Sequence, residues 1–517
     1  MSDWGQGYVT DIAYAPGYFR ETSPAWLTWI CLLRGRRPPR LDEGFTYCDL
    51  GCGTGFGVTA LAATHPQGRF WGFDFNPAHV ADGRELARVA GIGNLTFGEE
   101  SFADLAAGAG PDLPRMDFIV LHGVYTWVTA EHRAAIVRFI DRRLKPGGIV
   151  YVSYNCLPGW AALQPLQRLL VEVDRLAPGA TAQRVEAGLA MGRRMRDAGA
   201  AFFAAHPPAG AQLDELQGHD AAYLAHEYLN EGSIALYHAD VARDLAAAKL
   251  GYVGSATVGD NYDGLGLDDA QRALLAEQAD PLLARTLRDY LLNTRFRRDV
   301  WQRGDVVLGG IEQRERMAAL GLALTRPRAT ANAVFKGPRG ETVGNPAVYD
   351  PVLDALADGP RRIGALLADP RLAGTTLPGV IEVGSMMMGT EQMHPVAGPG
   401  PSEASFKAAR GLNMALVRAA TRGKPYDLLV SPVIGAAVAL DFVDTIGVSA
   451  LMDPPDATPD IESLSPVVRA VMRATGRKLV VGKRVLTDDA ENHAEADRRL
   501  ETFLSQRLPL YRQLGIL

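Results

Sequence analysis

One stretch constrains this chain more than any other: Asp49-Leu50-Gly51-Cys52-Gly53-Thr54-Gly55, set between an apolar run at 45–50 and a run of small residues at 56–64. The first run reads as a strand and the second as a helix. Three alternate glycines between them let the backbone turn sharply and approach a ligand without a Cβ in the way. The helix start beyond them offers unpaired N–H groups and positive dipole character. A dinucleotide fingerprint asks for another glycine three places after the second. Counted from Gly51, that place holds Phe56. Asp49 stands where a pyrophosphate would be repelled, and it suits a cationic amino group instead.

The next hundred residues repeat the alternation. Strands are expected at 69–73, 95–97, 118–121 and 149–153. Asn76 and Pro77 start a helix as N-cap and first residue. Thr129 caps another, whose Ile136, Ile140 and Leu144 share one face, and Lys145-Pro146-Gly147-Gly148 ends it. Strands alternating with helices make βαβ units and a parallel sheet. The second strand ends in Gly72-Phe73-Asp74, which puts an acid at its tip to accept two ribose hydroxyls. Phe75 is placed to pack on a base.

These residues resemble the class I S-adenosylmethionine (AdoMet)-dependent methyltransferases over residues 45–155, through the glycine loop, Asp74, the fourth strand and the Leu144–Gly148 turn. The resemblance implies an enzyme with AdoMet as cofactor. Asp49, Gly51, Cys52 and Gly53 then lie near its methionine part, Asp74 holds the ribose, and the residues after the third strand hold the adenine. Alignment on Asp104-Leu105 puts Ser101 where many members carry Asp, with Phe102 supplying a backbone N–H. His122 runs under the cofactor.

The whole chain is too long for one core, and its 517 residues divide into three or four domains. The expected fold is α/β: a Rossmann-like class I methyltransferase domain followed by mostly helical α and α+β domains. The boundaries read as 1–165 for the AdoMet domain, 166–304 for a helical and regulatory or dimerisation domain, 305–400 for a middle, winged-helix-like α+β domain, and 401–517 for a mainly helical end. Ala397-Gly398-Pro399-Gly400-Pro401 reads as the last linker. A net charge of -6 argues against a broad nucleic-acid or acidic-membrane surface. The four cysteines have no zinc spacing and read as small core residues. No signal-peptide pattern opens the chain. Its longest apolar run, 428–440, is shorter than the ~20 residues that span a bilayer. A soluble, cytoplasmic protein without metal or membrane insertion is expected.

Aromatic residues gather at the C-terminal strand ends, where a parallel sheet binds ligands. Tyr125 and Trp127 follow the fourth strand; Tyr154 and Trp160 follow the fifth. Tyr125 and Tyr154 are the candidates to hydrogen-bond an amine, and Trp127 and Trp160 to sheath an alkyl stem or a cation. Tyr8-Val9-Thr10-Asp11, Tyr14 and Tyr18 precede the fold. His226, Glu227 and His238 read as a structural polar network, because their spacing is wrong for a metal-binding helix turn. Met386, Met387, Met388 and Met393 read as core or dimer packing.

A narrower resemblance, carried by 8–24, 122–128, 151–160, His226-Glu227-Tyr228-Leu229-Asn230, Tyr237-His238, Asp289-Tyr290 and Arg295-Phe296-Arg297, is to bacterial methyltransferases with a methyltransferase regulatory domain. Characterised relatives include protein-lysine methyltransferases that modify an outer-membrane protein. The resemblance implies a protein substrate with an accessible lysine, methylated in line without metal, and a homodimer. Two other readings stay open: a small-molecule methyltransferase, and a regulatory protein that binds AdoMet without transferring its methyl.

Overall fold

The computed structural model describes residues 17–424, 426–452, 459–482 and 484–517. The Tyr8–Asp11 and Tyr14 candidates lie outside them. A seven-stranded sheet organises the described residues up to 303, in the order β3-β2-β1-β4-β5-β7-β6. Its strands are β1 (Thr46–Leu50), β2 (Arg69–Phe73), β3 (Leu95–Gly98), β4 (Met116–Leu121), β5 (Leu144–Asn155), β6 (Leu250–Ser255) and β7 (Phe296–Arg303). The first five pair in parallel. β7 runs antiparallel to both β5 and β6. β1 lies inside the sheet between β2 and β4, and its residues are largely buried on both faces, as an interior parallel strand requires.

The local signals in the sequence act as expected. Helix α1 (Pro24–Leu33) is capped by the Ser23 side chain. Helix α2 (Phe56–Thr64) opens directly from the glycine loop. In α3 (Pro77–Ala90) the Asn76 side chain accepts the Ala78 N–H, and Gly91 ends the helix in the left-handed conformation. A Ser101–Asp104 capping box starts α4 (Phe102–Ala107), and Thr129 caps α5 (Ala130–Arg143). The Lys145–Gly148 segment, expected as a turn before the fifth strand, lies within β5. It forms the irregularity between the Met116–Leu144 and Phe118–Ile149 pairs.

The expected boundary at 165 falls inside this sheet, because β6 and β7 come from the 166–304 segment and complete it. What intervenes is a helical insert: α6 (Gln164–Asp174), α7 (Thr181–Asp197), α8 (Ala201–Ala205), α9 (Pro207–Leu216) and α10 (Ala221–Tyr228). Leu166 and Leu170 of α6 pack with Val185 and Leu189 of α7, Leu213 of α9 and Leu224 of α10, in a core of their own that includes Trp160. Gly188 permits the close crossing, since a Cβ there would stand 3.0 Å from Leu170. The chain then forms α11 (His238–Ala246), which packs on one face of the sheet beside α5.

The other face carries the C-terminal half. Helix Glu403–Ala420 packs across α2 and α3, so closely that Gly411 faces the Ala90 carbonyl, where a Cβ would come within 2.6 Å. Strand Gly321–Leu324 is flanked by Arg361–Arg362 and Met393–Val396, both antiparallel. This differs from the winged-helix-like arrangement expected there: the two later strands flank the first instead of pairing as a hairpin wing. Trp26 of α1 donates its indole N–H to Ala256 at 2.8 Å, and Trp29 donates to Ser385 at 3.2 Å. Gly384 makes room for the Trp29 ring. Met387 and Met388 are fully buried in the same continuous core, which reaches Phe503 and Leu514. Residues 397–401 form a largely exposed connection. All four cysteines are free thiols, Cys31, Cys48 and Cys156 buried and Cys52 partly so. Among the described residues no helix is long and apolar enough to cross a membrane.

Candidate active site

The glycine loop turns under the tip of β2. The Gly51 and Cys52 N–H groups donate to the Phe73 carbonyl at 2.8 and 3.0 Å. Asp74, the next residue on, is locked from both sides. Its Oδ2 accepts the Gly53 N–H at 2.9 Å, and its Oδ1 accepts the Asn76 N–H at 3.0 Å and lies 3.1 Å from His79 Nδ1. Gly53 has φ +55°, and a Cβ on it would meet nothing within 4 Å, so its side faces open space. At Gly51 a Cβ would strike Val124 at 2.5 Å. One glycine therefore exposes backbone to the cavity, and the other lets the β4 end close over the loop.

The cavity in front of this loop has a volume of about 630 Å³. Gly51, Cys52, Gly53, Asp74, Phe75, Phe102, His122 and Trp127 line it. Asp49 is not among its lining residues. It stands at the end of β1, where burial and then the negative charge of Asp74 push its carboxyl up to about 7. The Cys52 thiol is held far above its usual range by burial and by Asp49 and Asp74, so it stays protonated. His122 is pressed against Phe19, ring centroids 3.4 Å apart, and its Nδ1 lies 2.8 Å from the Tyr151 hydroxyl. Burial, and then Arg298, keep it well below the normal histidine range, hence neutral.

A side pocket opens off the cavity between Phe75, Glu100, Ser101, Phe102 and Trp127. Ser101 spends its hydroxyl on the helix cap: it donates to Asp104 at 2.7 Å and accepts the Asp104 N–H at 3.2 Å. Its neighbour Glu100, passed over in the sequence, carries a buried Oε2 with no hydrogen-bond partner. Glu100 also lines this pocket, so a purine amine between the two phenylalanines would lie beside its carboxyl group. Together with an open backbone turn and Asp74 toward a ribose, these residues fit AdoMet, and Asp49 behind the loop reaches an amino group only through its charge.

Two catalytic candidates are corrected. The Tyr125 and Tyr154 side chains are fully buried and line no part of the cavity. Tyr125 donates to Asp244 at 3.2 Å. Tyr154 donates to Asp299 at 2.5 Å and lies 3.1 Å from His238 Nδ1. Asp299 also takes Arg297, which bridges to Asp289 at 2.7 Å. Although burial opposes ionisation, Arg297 and His238 hold Asp299 well below the usual carboxylate range. Tyr154 thus belongs to an ionic cluster behind β5 and β7. Strand alternation explains this: Tyr151, Ser153 and Asn155 point one way and Tyr154 the other.

Beyond the loop the same cavity runs to a second end, lined by Asn155, Trp160, Glu215, Tyr223, Glu227 and Tyr228. Most of these come from the helical insert. Trp160 and Tyr228 are buried, with ring centroids 6.1 Å apart. The sequence pointed to Trp160 here, but it assigned Glu227 to a structural network with His226 and His238. The two histidines are fully buried, whereas Glu227 faces the cavity. The i, i+4 spacing of Tyr223 and Glu227 on α10 was the available signal. Among the described residues no group of His, Cys, Asp and Glu could hold a metal ion.

Comparison with known proteins agrees with this architecture. Residues 41–192 match the family model of a methyltransferase domain, and residues 220–303 match that of a predicted methyltransferase regulatory domain. The second match contains α11, β6 and β7. An uncharacterised protein of Synechocystis sp. is 34% identical over 99% of both chains. An uncharacterised protein of Rickettsia prowazekii is 32% identical over 31% of this chain and 62% of its own. The solved structure of PKMT2 from Rickettsia typhi in complex with AdoHcy superposes with a TM-score of 0.70, at 19% identity, over 97% of this chain and 100% of that one. The fold is shared from end to end, and the chain belongs to the family of AdoMet-dependent methyltransferases that carry a methyltransferase regulatory domain.

Proposed function

We propose that this methyltransferase N-methylates lysine side chains of a protein. One observation carries the reading: a single cavity joins the glycine loop to an end walled by Trp160, Tyr228 and Tyr223 and charged by Glu227 and Glu215. Aromatic walls beside carboxylates suit an ammonium on an alkyl stem. The resemblance to lysine-modifying relatives and the full-length likeness in fold to PKMT2 support a protein acceptor.

Bound AdoMet supplies an electrophilic methyl group on a sulfonium. The chain's own residues do the rest. Gly51, Cys52, Gly53 and Asp74 orient the cofactor, with Phe75, Phe102 and the Glu100 carboxylate around its base. Ser101 acts through the helix cap, and Asp49 balances the cationic amino group. His122, neutral and wedged against Phe19, gives the floor a fixed shape. Trp127 stands between cavity and side pocket and screens the reacting centre from water. The acceptor enters past Tyr223 and is aligned by Trp160, which makes the displacement effectively unimolecular.

The test uses the whole 517-residue chain and methyl-tritiated AdoMet, with desalted protein extract in one reaction and the small-molecule filtrate in another. Acid hydrolysis of the labelled protein is expected to release methyl-lysine. Label confined to the filtrate, or lost as a base-labile ester, would overturn the proposal.

A further inference from the structure

We infer that Glu227 is the group that receives the acceptor's ammonium and takes its proton. The inference rests on the proposed amine acceptor and names the residue that makes the amine reactive. A lysine amine, with an ordinary pKa near ~10.4, is protonated at neutral pH and has no electron pair to offer. A base must lie inside the acceptor end, and the structure offers few.

Exposure orders the acids of that end. Glu215 is exposed and Tyr223 is 41% exposed, so both stand at the mouth; Glu227 is partly buried, and Tyr228 and Trp160 are buried further in. Glu227 therefore stands inward of the mouth, in the same cavity as the glycine loop and beside the aromatic walls that would hold a lysine stem. Glu227 has no ion pair among the described residues. The cation that lines the same region, Arg295, donates instead to the Gln212 side chain. Tyr223 and Tyr228 on its own helix interact with Glu227, while Glu215 from α9 and Arg295 from the segment before β7 line the same cavity and act on Tyr228. Burial pushes its carboxyl up to about 7, within reach of neutral pH as a proton acceptor. Tyr223 and Tyr228, both raised chiefly by burial, remain protonated and are not competing bases.

The step balances. The ammonium gives one proton to the Glu227 carboxylate, leaving a neutral amine and a carboxylic acid. The nitrogen lone pair forms the C–N bond as the C–S bond breaks, its pair staying on sulfur. The product is a methylated ammonium, and the Glu227 proton leaves to solvent through the mouth at Glu215.

Two measurements on wild type, Glu227→Gln and Glu227→Asp test this. The first is the pH profile of kcat/KM on the protein pool. Wild type is expected to rise to a plateau above pH ~7, because the carboxylate must be ionised. Glu227→Gln is expected to lose about 100-fold at pH 7 and to climb instead toward the pKa of the free amine. Glu227→Asp should regain part of the loss. The second is calorimetric binding, in the presence of S-adenosylhomocysteine, of Nα-acetyl-lysine methylamide against the uncharged norleucine analogue. Wild type is expected to prefer the lysine probe by about tenfold or more, and Glu227→Gln to lose that preference. An unchanged pH profile with unchanged probe preference in Glu227→Gln overturns the role of Glu227 and leaves the lysine reading standing. Absence of methyl-lysine from wild-type reactions overturns the lysine reading, and the probe preference then decides Glu227 by itself.

Discussion

Asp49 and Asp74 are both acids at strand tips, yet their surroundings divide the work. Asp74 is held by two backbone N–H donors and His79, with acceptor capacity left on the Oδ2 side for a ligand. Asp49 has its carboxyl raised from 3.8 to about 7, by burial first and by Asp74 second. A folded-state value above the unfolded one means that the ligand-free protein loses stability as pH rises from the carboxylate range through 7. A cationic ligand prefers the ionised acid, so AdoMet binding changes in the opposite sense. Calorimetry is expected to show affinity about tenfold tighter at pH 8 than at pH 6. Asp49→Asn should be weaker at pH 8 and nearly flat with pH. Equal pH dependence in both proteins would remove Asp49 from the site. The loop and its acids were legible because their signal is local: glycines at fixed spacing, then an acid at the next strand tip. Tyr154 was not, because both faces of β5 are buried and nothing in the sequence says which parity faces the ligand.

At the scale of elements, β1 to β5 and their helices could be placed from caps and apolar runs. β7 could not. Its sequence, Phe-Arg-Arg-Asp-Val-Trp-Gln-Arg, reads as a polar surface segment, yet Arg297, Asp299 and Gln302 are all buried. They are tolerated because they are paired: Arg297 with Asp289 and Asp299, Asp299 with His238 and Tyr154, and Gln302 with the Arg37 and Gly147 carbonyls. Periodicity cannot see such partners, since they lie on other elements. Removing one partner leaves an uncompensated buried charge. Asp299→Ala is expected to destabilise the protein by about 3 kcal/mol, read as a lower thermal midpoint in scanning calorimetry. Tyr154→Phe should cost less, about 1–2 kcal/mol. Unchanged midpoints in both would mean that the cluster does not hold β7 to β5.

At the scale of the molecule, the region read as a separate regulatory domain completes the seven-stranded sheet and lines part of the cavity in front of the glycine loop. The sequence set the 165 boundary where the helical composition begins; it could not show that the chain returns to the same sheet afterwards. A chain ending at residue 220 keeps every glycine and acid of the cofactor loop but lacks β6 and β7. Calorimetry on that fragment is expected to show no AdoMet binding, whereas the full chain binds. Retained affinity in the fragment would show that the five parallel strands suffice.

That returning strand also sets a schedule for biosynthesis. While the ribosome is still translating the helices that follow Asn155, the fifth strand has a bare edge, and such an edge is a template for pairing with another nascent chain. Only after the last sheet residue, Arg303, clears the exit tunnel can the enzyme cover it. Aggregation during overexpression should therefore follow how long this interval lasts, and slower translation across the insert would lengthen the hazard.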